Sequence, residues 1–106
     1  MSKRFQRNAH KLKELHLASA KTKKRLINSA STDFVRALCD CACNIMNGNV
    51  PLTTKHFKQL KKFHKQLKGL TTKSSQKSKK KVLQRGGFLG ALLGPIARLL
   101  LGGLTK

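Results

Sequence analysis

The stretch STDFVRALCDCACNIMNGNVP, residues 31–51, decides the fold of this chain. Its apolar residues recur every three or four positions, which is the period of an amphipathic helix. The positions that set this period are Phe34, Leu38, Cys41 and Ile45. Ser31 or Thr32 can cap the start of the helix, and Asn47-Gly48 supplies a left-handed stop. The sequence therefore predicts one helix here with a broad apolar face.

The next stretch, residues 53–70, repeats this apolar pattern on a much more basic background. Thr53 or Thr54 can cap a second helix. Its predicted apolar stripe consists of Phe57, Leu60, Phe63, Leu67 and Leu70. A connection of a few residues between two helices favours a helical hairpin. We therefore predict an antiparallel hairpin over residues 31–70, only marginally stable alone because its core is small.

The flanking regions complete an all-α prediction with four parts. Residues 1–30 are a basic N-terminal arm, in which a helix from about Asn8 to Ile27 would need a partner to form. Residues 71–87 are a Lys/Ser-rich linker that ends in Gly-Gly and has no apolar periodicity, so we expect it to be flexible. Residues 88–106 are an apolar, Gly/Leu-rich segment that we expect to form a helix.

Charge is the dominant feature of the composition. The chain of 106 residues has 24 Lys and Arg against 3 Asp and Glu, and a formal net charge of +21. Such a chain repels itself strongly unless a polyanion neutralises it. The three acids are too scattered for paired carboxylate chemistry. We therefore expect a binding protein rather than an enzyme, with no catalytic residues.

The basic residues are the candidate nucleic-acid contacts. They are Lys21, Lys23, Lys24, Arg25, Lys55, Lys58, Lys61, Lys62, Lys65, Lys68, Lys73, Lys77, Lys79, Lys80, Lys81 and Arg85. A merely soluble surface would mix both signs of charge, and this one does not. The sequence has no zinc-finger spacing, helix-turn-helix pattern or RNA-binding aromatic motif. We therefore expect binding to double-stranded DNA without sequence preference, with RNA as the alternative polyanion.

The cysteines and histidines do not form a metal-binding motif. Cys39, Cys41 and Cys43 alternate, whereas zinc sites pair cysteines that have two or more residues between them. The four histidines show no pairing one helical turn apart. We expect buried, reduced thiols, no metal and no cofactor. The N-terminus is basic but has no apolar run after it, so we do not expect a signal peptide.

The apolar C-terminal segment is about 17 residues long and contains Pro95 and Arg98. This is shorter than the about 20 predominantly apolar residues that cross a bilayer. A helix would gather its large side chains on one side. These are Leu89, Leu92, Leu93, Ile96, Leu99 and Leu100. The pattern favours a segment that lies in a membrane interface or packs into a groove of a partner such as a capsid. The alternative is that it completes the protein's own core.

The order of these parts resembles the adenovirus core protein X family, whose precursors join a basic region to an apolar Gly/Leu/Pro tail at a Gly-Gly junction. Gln84, Arg85, Gly86 and Gly87, followed by Phe88, match the recognition pattern of an adenovirus-type maturation protease. Residues 32–103 are also similar to small basic proteins of adintoviruses and Maverick/Polinton elements. The chain uses mainly lysine where the mature adenovirus peptides use arginine.

This resemblance implies a minor virion core protein that condenses DNA, is cut after Gly87 by such a protease, and is found in the virion and the host nucleus. A second function from another class is a membrane-active or membrane-anchored peptide precursor that acts through residues 88–106. A third is a cellular basic protein such as a ribosomal component. Salt-sensitive DNA binding without vesicle leakage would favour the first of these, and leakage caused by the apolar segment alone would favour the second.

Overall fold

Helix follows helix through the part of the chain that the computed structural model describes, which is residues 3–72, 75–85 and 87–101, with side chains up to Ala97. The helices are α1 (Lys3–Leu17), α2 (Ala20–Asn28), α3 (Thr32–Met46), α4 (Thr54–Lys62), α5 (His64–Thr72), α6 (Gln76–Leu83) and α7 (Phe88–Leu101). No residue in these ranges belongs to a strand. The predicted all-α class is therefore confirmed.

Helix α3 begins and ends where the sequence signals lie. The Ser31 hydroxyl accepts a hydrogen bond from the backbone N–H of Phe34 at 3.1 Å. Beyond the other end, Gly48 has a φ of 75°, the left-handed conformation that favours glycine. Thr53 caps α4 in the same way as Ser31, by accepting from the N–H of His56 at 3.1 Å. These polar caps are local interactions, so the sequence alone locates both helix starts.

The N-terminal arm is more ordered than its sequence suggests. It forms two helices rather than one. The first ends at Leu17, and Ser19 caps the start of α2. Phe5, Leu12 and Leu15 of α1 are buried. Helix α1 packs on α3 and α7. The packing partner that a helix in this arm was predicted to need is therefore supplied by the same chain.

The two-helix hairpin predicted over residues 31–70 is not what the structure shows, because its second helix is divided at Phe63 into α4 and α5. Helix α5 packs on α3, whereas α4 packs on α7. The Phe63 ring lies against the Phe88 ring, with centroids 5.7 Å apart. On either side of the division Leu60 and Leu67 are buried in the core, whereas Phe57 is 58% exposed.

The linker was expected to be flexible, but residues 76–83 of it form α6. Ser75 caps this helix by accepting from the N–H of Ser78 at 3.1 Å. Leu83 at its end is fully buried, and Val82 packs beside the core. An isolated helix of this length would not be stable in water. Its packing against α3 and α5 explains why local periodicity was a poor guide here.

Helix α7 lies at the centre of the molecule, where it contacts α1, α3 and α4. Of the six apolar residues predicted to meet a membrane or a partner, Leu89, Leu92, Leu93 and Ile96 are buried in the core. The side chains of Leu99 and Leu100 are outside the described part of the structure. In this fold these four side chains therefore do not face a membrane or a partner, and contact with either would require α7 to leave the core. The alternative interpretation of this segment, that it completes the protein's own core, describes the position of α7 in this structure.

Candidate nucleic-acid interface

Helix α2 presents the first basic cluster, residues 21–25. Ile27 is its one fully buried residue, and Leu26 packs partly against the core. Lys21, Lys24 and Arg25 are exposed, and Lys23 is half-buried. The apolar anchors at the C-terminal end therefore hold α2 on the protein and leave its charges facing solvent.

Helix α6 presents the second cluster in the same manner. Lys77 and Lys81 are exposed and stand one helical turn apart, while Lys79 and Lys80 are half-buried. Leu83 is the buried anchor of this helix. Burial raises the pKa of the Cys39 thiol, and the positive charge of Lys79 only partly opposes this shift.

Direct hydrogen bonds join α2 to α6. The Lys80 ammonium donates to the backbone carbonyl of Asn28 at 3.1 Å. This carbonyl belongs to the last turn of α2, where the helix dipole favours a cation. The Gln84 side-chain amide donates to the carbonyl of Lys24 at 3.5 Å and to the side-chain oxygen of Asn28. Two clusters more than fifty residues apart in sequence are thus held side by side.

Two adjoining cavities mark the surface between these helices, and Gln84 lines both. One, of about 500 Å³, is lined by Asn28, Gln76, Lys77, Lys80, Lys81 and Gln84. The other, of about 300 Å³, includes Lys23, Lys24 and Arg85 in its lining. We call the surface formed by Lys23, Lys24, Lys77, Lys80, Lys81 and Arg85 the α2–α6 basic surface. The amide nitrogen of Gln76 is buried and has no hydrogen-bond partner in the described structure.

The other predicted contacts fall on a different part of the molecule. Lys55, Lys58, Lys61, Lys62, Lys65 and Lys68 are all exposed on α4 and α5. Lys73 lies outside the described residues. Asn28 and Gln76 are not among the residues predicted from the sequence, and Gln84 was predicted only as part of a protease site. Asn28 could not be found from a local pattern, because its contact with Gln84 joins segments far apart in sequence.

The acidic residues neutralise little of the positive charge of the predicted contact residues. Asp40 accepts from Arg4 at 3.0 Å, and Asp33 accepts from Arg7 at 3.0 Å. The side chain of Asn8, which is buried, also donates to Asp33 at 2.9 Å. The hydrogen bonds from Asn8 and Arg7 lower the pKa of Asp33. Two of the three acids therefore join α3 to α1, and no acid follows Asp40 in the sequence.

The candidate protease junction lies between α6 and α7. Gln84 is held by α2 as described, Arg85 is exposed, and Gly86 is outside the described residues. Gly87 has a φ of 81°, and Phe88 is fully buried beside Phe63. A protease binds its substrate as an extended strand, so cutting after Gly87 requires Gln84 and Phe88 to leave these contacts.

The cysteine and histidine side chains of the described residues do not come together as a metal site. Cys39 and Cys41 are buried and Cys43 is half-buried, all three as free thiols. Burial raises the pKa of the Cys41 thiol to about 12. Within the described ranges, no group of three or more His, Cys, Asp or Glu residues could hold a metal ion. None of the helices that the structure describes has the length and apolar character to cross a membrane.

Comparison with known proteins gives no match to a family model, to a curated protein or to a solved structure.

Proposed function

We propose that the chain binds double-stranded DNA without sequence preference and condenses it, as a minor virion core protein of the kind that its sequence resembles. The α2–α6 basic surface carries this proposal. Hydrogen bonds from Lys80 and Gln84 hold two lysine clusters together there. Bringing like charges together costs free energy unless a polyanion neutralises them.

The chemistry of the surface suits phosphate rather than bases. A lysine ammonium neutralises a phosphate oxygen as a compact charge, and it lacks the planar fork with which arginine reads guanine. Each neutralised phosphate releases condensed counterions, which supplies affinity that is independent of sequence. Duplexes whose charge has been neutralised repel one another less, and the exposed lysines of α4 and α5 offer a second surface for another duplex. RNA would engage the same ammonium groups.

The second part of the proposal is maturation by an adenovirus-type protease that cuts after Gly87. The junction sequence supports it, and so does its position between two helices. Because Phe88 is buried and Gln84 is tied to α2, cutting would follow local opening rather than act on an exposed loop.

The alternative is a membrane-active precursor, which would act through an apolar helix, but the large apolar side chains described in α7 are buried. Leu89, Leu92 and Ile96 are in the core. Membrane activity would therefore need α7 to leave the protein first. Vesicle leakage caused by the uncut chain would argue for this alternative.

The experiment that tests the proposed function is a salt titration of binding to two unrelated duplexes. With about 6–10 phosphates engaged, affinity should fall roughly 10³–10⁵-fold between 50 and 200 mM salt. The fall should be equal on both duplexes. A strong preference for one duplex at fixed salt, or an affinity that does not respond to salt, would exclude this mode of binding.

A further inference from the structure

A second surface of the protein is an apolar groove where the end of α3 meets α4 and α5. Its volume is about 580 Å³, within the range of pockets that accept drug-sized groups. Its lining includes Met46, Phe57, Leu60, Lys61, His64 and Leu67. Phe57 is 58% exposed and Met46 is 43% exposed. Large apolar side chains grouped in an exposed concave surface are typical of interaction sites.

The groove lies beside the division of the second predicted helix at Phe63. In one continuous helix, Phe57 would share the stripe of Leu60 and Leu67. Because Phe63 turns towards Phe88 and α4 packs on α7, Phe57 remains at the surface. The described part of the fold thus leaves an aromatic side chain exposed beside a groove that none of its residues fills.

The charge around this groove indicates what can cover it. Lys61 and His64 are its polar lining residues, and Lys58, Lys62 and Lys65 are exposed on the same two helices. No acidic residue follows Asp40, and Asp40 itself is paired with Arg4. A second copy of this chain would bring another +21 charges to the contact, so repulsion disfavours it as the occupant.

We propose that this groove binds a segment of a partner protein that combines large apolar anchors with acidic flanking residues. The anchors would fill the space beside Phe57 and Met46, and the carboxylates would meet Lys61 and its neighbours. Charge complementarity of this kind gives specificity and speeds association. The groove and the two cavities of the α2–α6 basic surface share no lining residue. Partner binding at the groove is therefore compatible with DNA binding at the α2–α6 basic surface, whereas a partner and a second duplex would compete for the lysines of α4 and α5. The groove proposal does not depend on DNA binding.

The probe is a fluorescein-labelled helical peptide of roughly 16 residues, with Leu at positions i, i+3, i+4 and i+7 and Glu on the opposite face. A second peptide replaces every Leu with Ser and keeps the same Glu residues, so it measures attraction by net charge alone. Anisotropy is followed with the full chain at about 150 mM NaCl, where long-range attraction is screened. We expect the Leu peptide to bind at least about tenfold more tightly, because only it can bury apolar surface.

Variants locate the binding to the groove. Phe57→Ser and, separately, Met46→Gln should remove most of the tenfold difference between the peptides. Leu17→Ser is the matched control, because Leu17 is an exposed apolar residue of α1, 68% exposed and outside the groove. Circular dichroism verifies that each variant is folded. Equal affinity for both peptides, or a Leu-peptide affinity that both groove variants leave unchanged, would overturn the proposal. Dimerisation of the free chain that Phe57→Ser abolishes would instead assign the groove to a second copy.

Discussion

Gln84 donates a hydrogen bond from its side-chain amide to the backbone carbonyl of Lys24 at 3.5 Å, across 60 positions of sequence. The same amide nitrogen reaches the side chain of Asn28. This one residue therefore joins the end of α6 to α2, and so links the basic clusters of residues 21–25 and 77–81. The fold concentrates charge that an extended chain would spread out, and that concentration is the basis of the proposed DNA-binding surface.

Burial distinguishes two substitutions that the sequence pattern alone would treat alike. Leu38 is fully buried, so Leu38→Asp places an unpaired charge in the core and should unfold the protein. Phe57→Asp should leave the helices intact, because Phe57 is 58% exposed. Circular dichroism and thermal melting measure both effects. A helical Leu38→Asp variant, or an unfolded Phe57→Asp variant, would contradict the arrangement of α3, α4 and α5.

The sequence was sufficient to predict the structural features that depend on local interactions. The caps at Ser31 and Thr53 and the stop at Gly48 depend on neighbouring residues, and all three are found. The break at Phe63 could not be predicted in this way, because its aromatic partner is Phe88 in another helix. The same holds for α6, which lacks an apolar stripe and is anchored through Leu83. The basic residues of the site were all visible in the sequence, but their grouping across α2 and α6 was not.

Acid should destabilise the contact between α1 and α3. Hydrogen bonds from Asn8 and Arg7 hold the folded-state pKa of Asp33 below its ordinary value of 3.8. A lowered pKa stabilises the fold above the unfolded value, and this contribution is lost as the pH falls through the folded value. The melting temperature should therefore decrease below about pH 4.

The control for this pH dependence is Asp33→Asn, which cannot ionise. The variant should melt at a lower temperature than the parent at neutral pH, because Arg7 and Asn8 lose a charged acceptor. Its melting temperature should then decrease less steeply in acid. Parallel curves for parent and variant would show that Asp33 does not contribute to the acid response.

Cleavage at the junction should depend on how readily it opens. Phe63→Ala removes the ring that packs on Phe88 and leaves the recognition sequence intact, so an adenovirus-type protease should cut this variant faster. Gln84→Lys alters the recognition sequence, so cutting should stop even if the junction loosens. Mass spectrometry of timed digests gives both rates. An uncut parent protein, or cutting of Gln84→Lys at the parent's rate, would refute processing at Gly87.

Gly87→Val is a less informative test of cleavage than the Phe63 and Gln84 variants. Gly87 has a φ of 81°, and a Cβ there would lie 3.4 Å from the Phe63 ring. Valine would therefore strain the turn as well as block a glycine-specific protease cleft. A change in cutting could arise from either effect, whereas the Phe63 and Gln84 variants act in opposite directions.

The most direct test of the central claim compares two charge-matched quadruple variants. One replaces Lys24, Lys77, Lys81 and Arg85 of the α2–α6 basic surface with alanine. The other replaces four exposed basic residues outside that surface, on α1 and α3. These control positions are Lys3, Lys11, Lys13 and Arg36. Both variants lose the same charge, so any difference in DNA binding reports position rather than net charge.

The measurement is the slope of the logarithm of the binding constant against the logarithm of salt concentration, on one duplex. Each phosphate contact removed lowers the magnitude of this slope by about 0.9, so the surface variant should lose roughly 3 to 4. The control variant should lose much less, because its residues lie outside the proposed contact. Equal losses in the two variants would contradict the account, because the chain would then bind DNA through its total charge and not through the surface that α2 and α6 form.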